Sequence, residues 1–201
     1  VKTKKLLLIF VKNAINGHVK TRLAANLGDK RALGIYRQML RQTLSEAAEA
    51  DASKEVWYSS FIEIKGDVNE KLFQKKLQQG ENLGERMKFA FNNAFKNGYQ
   101  KVVIIGSDCP EITSDLLNDA FRLLESKDVV IGPSEDGGYY LLGKSLYEPS
   151  LFDGVEWSSP KVLQQTLEKT EKKSLSVALL QPLNDIDTIE DLKKSNFFHD
   201  G

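Results

Sequence analysis

The sequence predicts one α/β domain: a mostly parallel sheet with helices on both faces. Three observations lead there. Short apolar runs recur at Leu6–Val11, Val102–Ile105, Val129–Ile131 and Val177–Leu180, continuous rather than alternating, as strands covered on both faces read. Helical patterns lie between those runs, and alternation of strand with helix builds an α/β sheet. The chain has 201 residues, 41% apolar and 28% charged, with no linker-like or repetitive tract. That length suits a single domain over 1–201 whose core needs neither disulfide nor structural metal.

Taken in order, the run Leu6–Val11 follows a basic opening, VKTKK. The stretch is too short for a signal peptide and no small-residue cleavage site follows, so it reads as the first strand of a cytoplasmic protein. Residues 30–49 place Leu33, Tyr36, Leu40, Leu44 and Ala47 on one helical stripe. Glu55–Ser59 is a fifth strand candidate, less apolar and nearer an edge. Helical stripes return over 83–97, through Leu83, Met87, Ala90, Phe91, Ala94 and Phe95, and over 114–125, through Leu117, Ala120, Phe121 and Leu124. Ser158-Ser159-Pro160 reads as a serine-capped helix start with proline in the first turn, running to about Lys173. Thr188 to Asp191 has the form of a capping box that opens a last short helix. Residues 60–82 and 137–157 break the rhythm and are expected to form a substrate-side lobe.

Charge is balanced overall, 28 basic against 28 acidic residues, which argues against nucleic acid as a partner. Its distribution is uneven. Residues 1–41 hold ten Lys or Arg against one acid, and residues 106–160 hold eleven Asp or Glu against three basic residues. A basic half beside an acidic half suits a phosphorylated ligand with a divalent cation. No apolar run reaches the roughly 18 residues of a membrane span.

Polar segments follow the ends of the apolar runs, at KNAINGHVKTRL, GSDCP, GPSEDGG and QPLNDID. Ligands of open α/β sheets bind beyond the carboxyl ends of the strands. In the first segment Gly17 lets the backbone approach a ligand, while Lys20 offers a point charge and Arg22 a planar fork for phosphate. In the second, Asp108 follows a buried strand and needs a partner; Mg²⁺ or Mn²⁺ would serve. Asp185 and Asp187 are two apart, so in an extended segment they share a side, and one or both would face the same metal as Asp108. Asp136, in the EDGG turn, would bond hydroxyls or act as a base, and Gly137 and Gly138 would admit a sugar or acceptor. Gly84 and Arg86 lie at a helix start whose amides would receive a base or phosphate, and Trp157 with Ser158 offers a sugar platform. Each segment also has an ordinary reading: a solvated loop, a capping aspartate or a hairpin turn. Cys109 reads as a packed small residue, since no histidine lies near it to activate it. Neither a Walker A loop nor a GxGxxG fingerprint occurs.

As an ordered set, KTRL, LGERM, GSDCP, EDGGYYLLG, WSSP and NDIDTIEDL resemble the bacterial glycosyltransferase-like proteins of GT-A fold related to phospholactate guanylyltransferase, over residues 5–195. The resemblance implies a Rossmann-like nucleotide-diphospho-sugar transferase domain, three-layered α/β/α. It implies that Asp108 and Asp187 bind metal, that Lys20 and Arg22 bind phosphate, and that Gly137 and Gly138 line the acceptor side. The first loop departs from the family, reading NAINGHV, with His18 where a cation is usual.

The expected activity is therefore metal-dependent transfer from a nucleotide sugar to a small-molecule acceptor, with Asp136 the base. The alternative is nucleotidyl transfer from a nucleoside triphosphate to a phosphorylated acceptor with loss of pyrophosphate, which needs no protein base. A third reading is a nucleotide-binding module without catalysis; paired metal aspartates argue against it.

Overall fold

The computed structural model describes residues 4–195 and 197; His199, set aside in the sequence as terminal, lies outside them. Among the described residues seven strands form one sheet: β1 (Lys5–Val11), β2 (Ser53–Tyr58), β3 (Gln74–Leu77), β4 (Lys101–Ile105), β5 (Val129–Pro133), β6 (Tyr139–Lys144) and β7 (Val177–Leu179). Their spatial order is β3-β2-β1-β4-β6-β5-β7. Every neighbouring pair is parallel except those of β6, which runs antiparallel to both β4 and β5. The helices are α1 (Thr21–Leu27), α2 (Asp29–Glu49), α3 (Leu83–Lys96), α4 (Ser114–Leu123), α5 (Val162–Lys172) and α6 (Ile189–Lys194), with a 3₁₀ turn at Pro149–Phe152. None is long and apolar enough to cross a membrane.

The continuous apolar runs have the expected cause. In β1, Leu7, Ile9 and Val11 point into a core formed with α2, α4 and α6, while Leu6 and Leu8 point into a second core formed with α3 and the 3₁₀ turn. Leu6 to Ile9 are wholly buried, and each such side chain is worth about 1.5–3 kcal/mol against exposure. Three layers result, helix on sheet on helix.

Several expectations need correction. The 137–157 segment is no separate lobe: its first part is β6, which forms a hairpin with β5 and stands between β5 and β4. Within 60–82, Gln74–Leu77 is the edge strand β3, leaving β2 one place in from that edge. The strand after α5 is the opposite edge, with Leu179 exposed. Ser158 and Ser159 do not open α5. The helix begins at Val162 after Lys161, because Ser158 has φ 63° and turns the chain away from helical geometry. On α2, Leu33 is only half buried; the stripe is centred on Ile35, Tyr36, Met39 and Thr43. The Thr188 capping box forms as read: its hydroxyl accepts from Asp191 N, and the Asp191 carboxylate accepts from Thr188 N.

Chain direction across the sheet changes sides between β1 and β4: β2 and β3 lie beyond β1, and β6, β5 and β7 lie beyond β4. Such a switch point leaves a crevice beyond the strand ends, where open α/β sheets bind ligands.

Candidate functional site

Lys20 follows β1 and forms the N-cap of α1 in the left-handed conformation, φ 50° and ψ 45°, with no side-chain cap bond. Its side chain is 2% exposed. The ammonium lies 2.9 Å from Asp108 Oδ1 and 2.8 Å from Asp187 Oδ1. Residues far apart in sequence therefore meet, and what joins the two carboxylates is a lysine.

Each partner is placed by backbone. Asp108 stands just beyond β4, and its carbonyl accepts from Ile186 N at 3.0 Å. That bond holds the residue between Asp185 and Asp187 against the Asp108 loop, and both aspartates line one cleft. Leu183 N donates to Pro133 O at 3.1 Å, so the same segment is also tied to the end of β5. Tyr36, wholly buried on α2, donates from its hydroxyl to Lys12 O, accepts from Lys12 N and lies 3.2 Å from Ser107 Oγ. One phenol thus joins the ends of β1 and β4.

The charge balance is uneven. Burial works against the Lys20 ammonium, but Asp108 and Asp187 outweigh it and hold its pKa above the ordinary lysine value. Asp185 is pushed up to about 7, chiefly by burial and next by the negative Asp108; Lys20 opposes this, and Asp187 and Asp136 add to it. Asp108 Oδ1 is buried, and among the described residues its one partner is the Lys20 ammonium. Burial pushes the Cys109 thiol to about 12, which suits the packed role expected of it.

Among the described residues no group of three or more His, Cys, Asp or Glu side chains forms a ready metal site. The donor chemistry still fits a hard divalent ion. Two carboxylates, Asp108 and Asp187, converge on one ammonium, and Asp185 lines a cleft with each of them.

Two clefts meet here, and Asp185 lines both. The larger, about 400 Å³, has apolar walls from Phe10, Met87 and Leu142, with Ser107, Asp108 and Arg86 among its polar groups. The smaller, about 320 Å³, is bordered by Arg22, Glu111, Asp136, Asp187 and Lys194. A third cavity, about 620 Å³, opens at the amino ends of β1 and β2 between Lys5, Asp51 and Tyr99. It is at the wrong edge of the sheet for strand-end chemistry.

The other expected site residues divide. Arg22 borders the smaller cleft and has no ion pair among the described residues. Asp136 borders the same cleft, with Oδ1 accepting from Gly138 N at 2.9 Å. Arg86 borders the larger cleft, but its Nε donates to Gly80 O at 3.0 Å and its Nη1 to Gln78 Oε1 at 3.3 Å. Ser158 borders it too. Gly17 borders neither; it turns the loop at φ 76° beside the Asp29 carboxylate. Gly84 lies under the Trp157 indole, and Gly137 lies against the Pro160 carbonyl; a Cβ at either would overlap those atoms. Their lack of a side chain thus serves packing, at Gly84 where a base or phosphate was expected and at Gly137 where a sugar or acceptor was. Trp157 itself stacks on Phe152 at 6.2 Å and borders neither cleft. The amides at the start of α3 are engaged as well: Glu85 N donates to Asn82 Oδ1, and Glu81 N to the Glu85 carboxylate.

Sequence reasoning missed Asn13. It is buried, accepts from Ser60 N and Phe61 N, and donates to Phe61 O, which fixes the loop after β2 against the loop after β1. Its signal was a lone amide straight after an apolar run.

Comparison with known proteins bears on this arrangement. The chain is 28% identical to 2-phospho-L-lactate guanylyltransferase of Methanocaldococcus sp. (strain FS406-22), over 87% of this chain and 74% of that one. It is 37% identical to a candidate nucleotide-diphospho-sugar transferase from Desulfovibrio desulfuricans G20, whose crystal structure superposes with TM-score 0.87 over 94% of this chain and 85% of that one. Rv0371c of Mycobacterium tuberculosis H37Rv, solved in complex with manganese, shares the fold at TM-score 0.62 and 11% identity, over 96% and 97% of the two chains. The fold is that of the nucleotide-diphospho-sugar transferases, as the resemblance implied. A family model matches residues 39–159, and the chain belongs to that family, described as "Uncharacterized protein conserved in bacteria (DUF2064)".

Proposed function

We propose that the protein is a nucleotidyltransferase, moving a nucleotidyl group from a nucleoside triphosphate to a small anionic acceptor with release of pyrophosphate. The observation that carries this is the Lys20–Asp108–Asp187 cluster at the sheet's switch point, where two clefts meet. Guanylyltransferases among the relatives support nucleotidyl transfer over the glycosyl transfer expected first from the sequence.

In this reading the larger cleft takes the base and ribose against its apolar wall, and the smaller takes the acceptor. Arg22 and Lys20 offer positive charge to the triphosphate. An acceptor oxyanion in the smaller cleft attacks the α-phosphorus; the bond to the bridging oxygen breaks, and pyrophosphate leaves with its electron pair. The nucleophile is already ionised, so no residue takes a proton. Asp108 and Asp187, with Asp185, would hold a divalent ion, which when bound neutralises charge on the phosphate oxygens. Asp108 and Asp187 would be its ligands, and Tyr36 fixes the loops that carry Lys20 and Asp108.

The test is a panel of nucleoside triphosphates and phosphorylated or carboxylated acceptors with Mn²⁺ or Mg²⁺. Pyrophosphate should appear with one pairing, and Asp108→Ala should lower its rate about 10²-fold or more. Nucleoside diphosphate released from a nucleotide sugar, with no pyrophosphate from any triphosphate, would refute the assignment.

A further inference from the structure

We infer that Lys20 is a stand-in cation, which holds the place between Asp108 and Asp187 until a divalent ion displaces it and frees its ammonium for phosphate. This rests on the metal-dependent reading above and adds the order of events within it.

Lys20 occupies the position a metal would need. Its ammonium touches one oxygen of each aspartate, at 2.9 and 2.8 Å, and its side chain is almost fully withdrawn from water. A divalent ion bound by the same two oxygens would face that ammonium at close range, and like charges so near repel strongly in a buried setting. The two occupants therefore exclude one another.

Charge shows which of them the cluster suits better. Two carboxylates, Asp108 and Asp187, touch the one ammonium, and a divalent ion matches their two charges where a lysine cancels one. The exchange is also local: among the described residues Lys20, at 2.9 Å, is the one partner of Asp108 Oδ1, so no other bond to that oxygen is broken when an ion replaces it. The backbone adds a third reason. Lys20 is a non-glycine residue held at φ 50°, and no side-chain cap bond at α1 compensates. Such strain persists only where surrounding contacts enforce it. The contacts of the side chain itself are the two ion pairs. Once an ion takes both oxygens those contacts are lost, and the triphosphate that arrives with the metal offers the freed ammonium a new anion.

A purely structural salt bridge predicts the opposite behaviour on mutation. Without Lys20 a structural cluster falls apart and binds metal less well; a cluster relieved of a competitor binds it better. The experiment measures Mn²⁺ affinity of metal-free protein without nucleotide, by the electron paramagnetic resonance signal of free Mn²⁺. It compares wild type, Lys20→Met and Lys20→Gln. The variants should bind Mn²⁺ at least tenfold more tightly, and Mn²⁺ should raise their melting temperature by more than it raises that of wild type. Asp108→Asn should abolish that binding in either background. With a non-hydrolysable triphosphate analogue present, the order should reverse, wild type binding the metal–nucleotide pair more tightly. A variant that folds only when Mn²⁺ is supplied also supports exchange. Equal or weaker Mn²⁺ binding by both variants overturns the exchange while leaving the transferase reading intact. If wild type and both variants all fail to bind Mn²⁺, with and without nucleotide, the metal-dependent reading falls and this inference falls with it.

Discussion

Replacing Lys144 with methionine gives a sharp test of how this protein handles a buried charge away from its site. Lys144 ends β6 and is wholly buried. Its ammonium donates to the Glu148 carbonyl at 2.6 Å and sits 5.3 Å from the Phe91 ring centroid and 5.1 Å from that of Phe152. Burial drives its pKa down to about 7, with the Glu148 carboxylate pulling the other way. An unfolded lysine titrates near 10.4. Between those values the folded chain binds fewer protons than the unfolded one, so stability rises with pH; below about 7 the gain is absent. Integrated across the window, a shift of this size is worth at most about 5 kcal/mol. The two rings favour the charged form by about 1–2 kcal/mol, and the carbonyl bond acts in the same sense, which leaves about 2 kcal/mol. Urea denaturation at several pH values from about 7 to about 9.5 reads the effect. Wild type should gain about 1 kcal/mol relative to Lys144→Met across that range, the rest of a shift of that reduced size falling at higher pH. Lys20 does not intrude: its pKa is raised, so its stabilisation is complete below the ordinary lysine value and is lost only above it. Parallel pH profiles for the two proteins would refute the reasoning.

Two further outcomes follow from the packing around the site. Gly84→Ala should destabilise the protein by about 1–3 kcal/mol through overlap with Trp157, and a second change, Trp157→Ala, should lower that cost; chemical denaturation of the single and double variants decides. Tyr36→Phe removes the hydroxyl that joins Lys12 to Ser107. It should cost about 1–2 kcal/mol and slow turnover several-fold even far below melting, because the Lys20 and Asp108 loops lose their shared anchor; full turnover with reduced stability would show that the bond matters to the fold alone.

The parts of the fold visible in the sequence are those where burial on both faces leaves a long apolar signature. β1 and β4 show it plainly, and the amphipathic stripes of α3 and α4 equally so. β3 reads QKKL and is at most half buried, so an edge strand passed for loop. α1 has only seven residues and begins inside KTRL, where basic residues drew attention to ligand binding instead. β6 was hidden by its neighbour: EDGG drew attention as a sugar or acceptor surface, while its ordinary reading, a hairpin turn, is the one that carries Tyr139 to Lys144 into the sheet. In the site, strand ends pointed to Lys20, Asp108 and Asp187. What one-dimensional reading lacks is pairing. Nothing in sequence says that Lys20 lies between two aspartates 88 and 167 positions away, or that Gly84 is small because an indole covers it.

The single backbone bond from Ile186 to the Asp108 carbonyl stitches the last part of the chain to its middle. A piece cut to the family-matched span, 39–159, would keep Asp108 yet lose β1, Lys20 and Asp187 together. Truncations at either end should thus be judged by whether this seam survives, since the cation-holding pocket has no meaning in a fragment that carries just one of its walls.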